Sequence, residues 1–152
     1  MKKASSNIQA DKPAKSGNEV SVSQADYEIL ASFRYAMRRF LHFSEQAAKA
    51  VGLTPQQHQA LLAIRGFSGA SAISIGELAE RLQVKHHSAV GLVNRLVVLE
   101  LVVRESDTND HRLVHLHLTK RGVEVLHRLS AIHRDELRRI SPVLGELLNR
   151  IS

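Results

Sequence analysis

The chain has 152 residues and a formal net charge of +6, from 21 Lys and Arg against 15 Asp and Glu, with nine His and no Cys. This is the length of one domain with a full hydrophobic core. Without cysteine there is no disulfide, thiolate zinc site, cysteine nucleophile or thiol redox sensor; no run reaches the roughly 18 apolar residues of a membrane span, and no apolar block marks a signal peptide, so the sequence predicts a soluble, cytoplasmic protein with no membrane partner. The excess charge suits a polyanionic partner, but it is spread out: +2 over residues 1–20, +2 over 21–74, +1 over 75–121 and +1 over 122–152. Any nucleic-acid case therefore rests on where particular cations stand.

Residues 1–22 read as a disordered basic tail, because Ser, Lys, Asn, Gly and Pro with two isolated aliphatics leave too little apolar surface to offset ordering. Residues 23–151 read as a single domain. Ser23 with Asp26 starts a helix in which Leu30, Phe33, Met37, Phe40, Leu41, Ala47, Ala48 and Val51 recur at helical spacing until Gly52. Five of the six aromatics (Tyr27, Phe33, Tyr35, Phe40, Phe43) lie in it, which puts its stripe in a core or an interface. Thr54-Pro55-Gln56-Gln57 combines an N-cap, a first-turn proline and a capping-box Gln, opening a helix through Leu61, Leu62 and Ile64 to about Gly66.

After a loop at 67–73, Ser74 and Glu77 form a second capping box before Leu78, Ala79 and Leu82. Beyond Gln83-Val84-Lys85, Ala89, Leu92, Val93 and Leu96 share one face. Two short helices around a tight turn make a helix-turn-helix. Leu101–Arg104 then reads as a strand, 105–111 as a polar loop, and Val114, Leu116 and Leu118 alternate with His115 and His117 as a second strand. A β-hairpin directly after the second helix is the layout of a winged helix. Thr119 caps a helix carrying Val123, Leu126, Leu129 and Ile132 to about Ile140, and Ser141-Pro142 is read as the start of a separate last helix. The predicted class is mostly α (α+β): a winged helix-turn-helix lobe over 54–121 with a two-stranded wing, and long terminal helices over 23–52 and 123–151.

Three pieces, in order and spacing, carry a family resemblance. IGELAERLQV followed by HHSAVGLVNRL resembles the helix-turn-helix of the MarR family of bacterial transcription regulators, with Asn-Arg-Leu for the usual Asp-Arg-Leu. Asp107-Thr108-Asn109-Asp110-His111-Arg112 resembles the family's D-x-x-D-x-R wing tip, and Leu118-Thr119-Lys120-Arg121-Gly122 its L-T-x-x-G junction. Leu53-Thr54-Pro55-Gln56-Gln57 is similar to its second-helix start. One departure is Glu100, where the family usually has glycine. A left-handed backbone there would cost Glu roughly 1 kcal/mol, so the helix cap and the angle of the wing are open at this point.

The resemblance implies a DNA-binding regulator, a repressor in most such families' manner, acting as a homodimer. The apolar stripes of the terminal helices exceed what one small lobe covers, and a C2 pair would set two recognition helices roughly 34 Å apart on a pseudo-palindromic site in double-stranded promoter DNA. Winding the recognition helix leaves His87, Gly91, Asn94 and Val98 outward, with Ser88, Val90 and Arg95 flanking. His86, His87, Ser88, Val90, Gly91, Asn94 and Arg95 are the expected groove and phosphate contacts. At the wing tip Arg112 is expected in the minor groove, with Asp107 and Asp110 as positioners; Asp110 pairs with Arg112 or with Arg95. Lys120 is a candidate phosphate anchor. The resemblance also implies a crevice for a small aromatic or phenolic anion, near Phe33, Met37, Phe40, His58 and Leu62, with Arg34, Arg38 or His42 as anion partners.

Five histidines fall between 86 and 117, but none stands with a carboxylate or cysteine in a recognisable ligand spacing, and those on the wing read as polar strand residues near phosphate. No metal or cofactor is expected. No nucleophile elbow, phosphate loop or paired catalytic carboxylates point to an enzyme. The competing reading is a winged helix used for nonspecific nucleic-acid packaging or protein contact.

Overall fold

The computed structural model describes residues 21–151; the tail expected over the first twenty residues lies outside them. Five helices and one hairpin follow in the order α1 (Gln24–Ala50), α2 (Pro55–Arg65), α3 (Ile75–Leu82), α4 (His86–Val98), β1 (Val102–Ser106), β2 (Val114–Leu118) and α5 (Lys120–Asn149). Full capping boxes open α1 at Ser23 and Asp26, α2 at Thr54 and Gln57, and α3 at Ser74 and Glu77, each satisfying two backbone donors that the helix itself leaves unpaired. The turn between α3 and α4 is tight because Gln83 adopts a left-handed conformation (φ 55°) and the Val84 amide donates back to the Ala79 carbonyl at 3.0 Å.

The core lies where α2, α3 and α4 meet the hairpin and the middle of α5. Leu61, Ile73, Leu78, Val93, Leu96, Val102, Leu116 and Leu129 are all fully buried there. The inward face read from α4's periodicity is the buried one, at Ala89, Leu92, Val93 and Leu96. The hairpin pairs Val102 with Leu118 and Ser106 with Val114. It extends two residues further than Arg104, and the first strand's open phase resolves with Val102 buried and Val103 exposed. The Leu116 amide donates to the Ile73 carbonyl at 2.9 Å, which ties β2 to the loop before α3.

The wing's base is locked by the L-T-x-x-G segment. Thr119 donates its amide to Leu101 O (3.0 Å) and its hydroxyl to Glu100 O (2.7 Å), while its Oγ1 accepts the Gly122 amide (2.9 Å). A Cβ on Gly122 would run into the Leu101 carbonyl oxygen. Close backbone approach is therefore the reason for glycine there. Glu100 takes the left-handed conformation (φ 58°) that suits glycine; the cap geometry is kept and the strain is carried.

The predicted break at Ser141-Pro142 is absent: α5 runs through Pro142 as one helix. Proline leaves the carbonyl four residues back without its donor, and the Ser141 hydroxyl donates to that Arg138 carbonyl at 3.1 Å. The serine read as an N-cap repairs the helix instead. Among the described residues no helix is long and apolar enough to cross a membrane.

Candidate nucleic-acid interface

The N-terminal turn of α4 presents His86, His87 and Ser88 to solvent. Its N-cap, Lys85, has no acceptor to offer and makes no side-chain cap. First-turn amides are thus left for water or an anion. Further along, Asn94 and Arg95 are exposed, Val90 and Gly91 half-buried, and Val98 is 82% exposed. The Arg95 guanidinium folds back beside Gly91, within van der Waals reach of a Cβ there. Asn94 is engaged: its Oδ1 accepts a hydrogen bond from Arg104 Nη2. Arg104 was not among the expected contacts, because it stands in the strand whose phase the sequence left open. Ser88 lines a small cleft with Gln56, Gln59 and Arg81, on the flank toward α2 and α3.

At the wing tip Asp107 Oδ1 accepts the amides of Asn109 (2.7 Å) and Asp110 (2.9 Å). Asp110 Oδ1 accepts the amide and Nε of Arg112 at 3.1 and 3.2 Å. Of the two arginines open to Asp110, Arg112 is the partner. Its side chain remains 92% exposed, so the carboxylate aims the guanidinium without burying it. Arg112 and His86 share a cleft of about 260 Å³ with Ser74 and Gly76, which brings the wing tip and the start of α4 onto one face. Lys120 is exposed at the first turn of α5, and neighbouring Arg121 reaches Glu100 at 3.5 Å.

The wing histidines do not stand free as polar strand residues. His117 Nε2 lies 3.1 Å from Glu105, and His115 Nε2 lies 2.9 Å from Asp107. The hairpin creates both pairs by folding β1 and the tip back onto β2. Among the described residues no three His, Asp or Glu side chains converge as a metal site would require.

A second candidate region is a cavity of about 400 Å³ between α1, α2 and α5, lined by Phe40, Ser44, His58, Gln59, Leu62, Ser130, His133, Arg134 and Leu137. It gathers three of the eight expected effector residues: Phe40, His58 and Leu62. Arg38 and His42, one turn apart on α1, line a different groove with Tyr35, Arg39, Glu136 and Arg139; two residues from Phe40 they point away from it on the helix. Phe33, Arg34 and Met37 line neither. Phe33 and Arg34 stand about two turns, roughly 10 Å, toward the N-terminus of α1 from Phe40. His133 was missed by sequence reasoning. Its ring lies 4.7 Å from that of His58; Nδ1 donates to the Leu129 carbonyl at 2.6 Å, and Nε2 lies 2.8 Å from Ser44 Oγ. Burial, reinforced by the His133 charge, pushes His58 down to about 4, so it is neutral near pH 7, with Nδ1 buried and without a hydrogen-bond partner.

The family model described as MarR family matches residues 51–113, from the end of α1 to the wing tip. Over these residues, the helix-turn-helix and wing, the chain is similar to the MarR family. The HTH-type transcriptional repressor MdtR of Bacillus subtilis (strain 168) is 31% identical to this chain over 102 residues, which cover 67% of the chain and 64% of that relative's length. Among solved structures, AbsC, a MarR-family transcriptional regulator from Streptomyces coelicolor, superposes with a TM-score of 0.69 at 20% identity, over 86% of this chain and 89% of that one. MepR of Staphylococcus aureus, a regulator of the multidrug efflux pump MepA, gives 0.67 at 17% identity, over 83% and 98%. A MepR mutant bound to an oligodeoxyribonucleotide gives 0.63 at 18% identity over the same shares. At these identities the structures establish the winged-helix fold with its two-stranded wing.

Proposed function

We propose that this protein is a MarR-family, sequence-specific DNA-binding transcription regulator, a repressor that sits as a homodimer across a pseudo-palindromic promoter site. The observation that carries the reading is the shared face of α4 and the wing. His86, His87 and Ser88 are exposed at an uncapped helix start, and Arg112 stands 92% exposed beyond them, aimed by Asp110. In this reading α4 enters the major groove, where His87 and Ser88 meet base edges or phosphates and Val90 and Gly91 allow close approach. Arg112 enters the flanking minor groove, where A·T tracts concentrate negative potential. Arg104, held by Asn94, and Lys120 supply phosphate contacts. The names of MdtR, a repressor, and of the DNA-bound MepR mutant support the same assignment.

The cavity among α1, α2 and α5 is the proposed effector site. Phe40, Leu62 and Leu137 offer apolar walls, the neutral His58 and Gln59 offer polar partners, and Arg134 offers a cation. This composition fits a small aromatic or phenolic anion. Because the cavity lies between the terminal helices and the lobe, an occupant that fits only one relative position shifts the spacing of the two recognition helices and releases the operator.

The test is fluorescence anisotropy with operator DNA. Arg112→Ala is expected to weaken binding at least about tenfold, the loss of a charge-assisted minor-groove contact, with the oligomeric state unchanged. His87→Ala is expected to change the preference among single-base operator variants. Wild-type affinity in the first variant removes the wing from the account; an unchanged base profile in the second removes His87 from readout.

A further inference from the structure

His115 stands on β2 with both ring nitrogens engaged. Nδ1 lies 2.8 Å from the carbonyl of Ala72, in the loop before α3, and Nε2 lies 2.9 Å from the carboxylate of Asp107 at the start of the wing tip. Both partners are acceptors. A neutral imidazole has one donor and one lone pair, so only the imidazolium makes both bonds. On deprotonation one contact becomes lone pair against lone pair. The ring joins two segments that are otherwise distant: the Ala72 carbonyl is fixed to the lobe by the neighbouring Ile73–Leu116 bond and the Ser74–His115 bridge, and Asp107 holds the amides of Asn109 and Asp110. Asp110 in turn holds Arg112. A continuous set of bonds therefore runs from the lobe through His115 and Asp107 to the guanidinium.

We infer that His115, as an imidazolium, is the positioning residue that clamps the wing tip to the lobe, so that DNA binding through Arg112 weakens as pH rises through the titration of this one histidine. The inference rests on the DNA-binding reading above. The charges around the ring all favour the proton. Asp107 faces it from the wing, and Glu77 from α3. Glu105 of β1 stands opposite in register, its carboxylate 3.1 Å from His117. α2 and α5 also contact β2 and, among the described residues, add no charge to that balance. The Asp107 hydrogen bond first, then the Ala72 carbonyl, hold His115 above the usual histidine range. The same bond to His115, with the Asp110 and Asn109 amides, pulls Asp107 down to about 2. The signs give a window. A raised histidine contributes fully below its unfolded value and is lost as pH rises through its folded one; a lowered carboxylate contributes above its unfolded value and is lost as pH falls through its folded one. The clamp is complete between the ordinary carboxylate range and the raised titration of His115, and it opens on the alkaline side.

The experiment has two arms on the full chain, at constant ionic strength from about pH 6 to about pH 8.5. In the first, without DNA, imidazole nitrogen resonances and the amides of residues 107–112 are followed by NMR. His115 is expected to carry protons on both nitrogens at the acid end and to titrate above the ordinary histidine value, with the tip amides moving at the same midpoint. Titration at the ordinary value, or tip amides that stay still, overturns the clamp. In the second, anisotropy measures binding to duplex DNA from upstream of the protein's own gene, for wild type and His115→Gln. The other histidines are common to both proteins, so the readout is the difference. Wild-type affinity is expected to fall on the order of tenfold more than that of His115→Gln across the range, the equivalent of about one proton's linkage. Equal slopes overturn the role in binding. If neither protein binds the duplex at any pH, the DNA-binding reading fails, and the first arm still decides the clamp.

Discussion

Glu100 shows how much one backbone angle decides. It follows the recognition helix at φ 58°, a conformation that costs any residue with a Cβ. Its only compensation from the side chain is an exposed pair with Arg121 at 3.5 Å, worth at most about 1 kcal/mol. Glu100→Gly is expected to stabilise the protein by about 0.5–1 kcal/mol, the relief of strain less the greater freedom of glycine in the unfolded chain. Urea melts of both proteins check this, and a loss of stability of that size would mean that the ion pair outweighs the strain. The sequence left the cap at Glu100 open, and the fold settles it as left-handed; the wing-tip aspartates were legible, because their partners lie two or three residues away. The histidine contacts were not. His115 meets a carbonyl 43 residues distant and His133 a hydroxyl 89 residues distant. No spacing rule reaches across such separations; only the folded topology makes those neighbours.

Helices were readable where local chemistry agrees with periodicity. The three capping boxes open the helices expected of them, and α4 buries the face its apolar spacing names. The reading failed where one short signal has two physical outcomes. Ser-Pro starts a helix when the proline's missing donor falls among the unpaired first-turn amides; inside a helix the same serine returns a hydrogen bond to the deprived carbonyl. In α5 the second outcome holds. Pro142→Ala is accordingly expected to raise stability by about 1–2 kcal/mol, less than the roughly 3 kcal/mol an interior proline can cost, because Ser141 already recovers part of it. Thermal melts at one protein concentration measure this, and an unchanged or lowered midpoint would show that α5 needs its proline. The aromatic-rich stripe of α1 is likewise only partly internal. Phe40 and Phe43 set their edges on the His133 ring, whereas Tyr27 and Tyr35 are 59% and 62% exposed in the single chain. Helical spacing shows which residues share a face; it does not show what covers them.

At the scale of the molecule, the long terminal helices and the winged lobe are one connected body with two different surfaces. One carries His86 and Arg112 across a shared cleft, with His87 and Ser88 exposed next to His86 on α4 and Arg104 on Asn94 further along that helix. The other leaves Leu30, Met37, Leu41, Ile132 and Val143 of α1 and α5 exposed, apolar area that the proposed two-fold pairing would remove from water. Net charge said little about this division, since its excess is spread along the chain; placement of a few side chains by the fold says more. The cavity between the two regions depended on α1 and α5 meeting across most of the chain's length, which is why the site implied by the resemblance gathered residues that the fold divides between this cavity and the groove at Arg38 and His42.

The most direct measurement for the central claim is the affinity of the wild-type protein for duplex DNA from upstream of its own gene against a scrambled duplex of equal length, by fluorescence anisotropy across a salt series. Binding to the upstream duplex is expected to be tighter by a factor of about 10³ or more at physiological salt, with a steep salt dependence for both. Equal affinity for the two duplexes at every salt concentration would contradict the claim and leave a winged helix that holds nucleic acid without reading it.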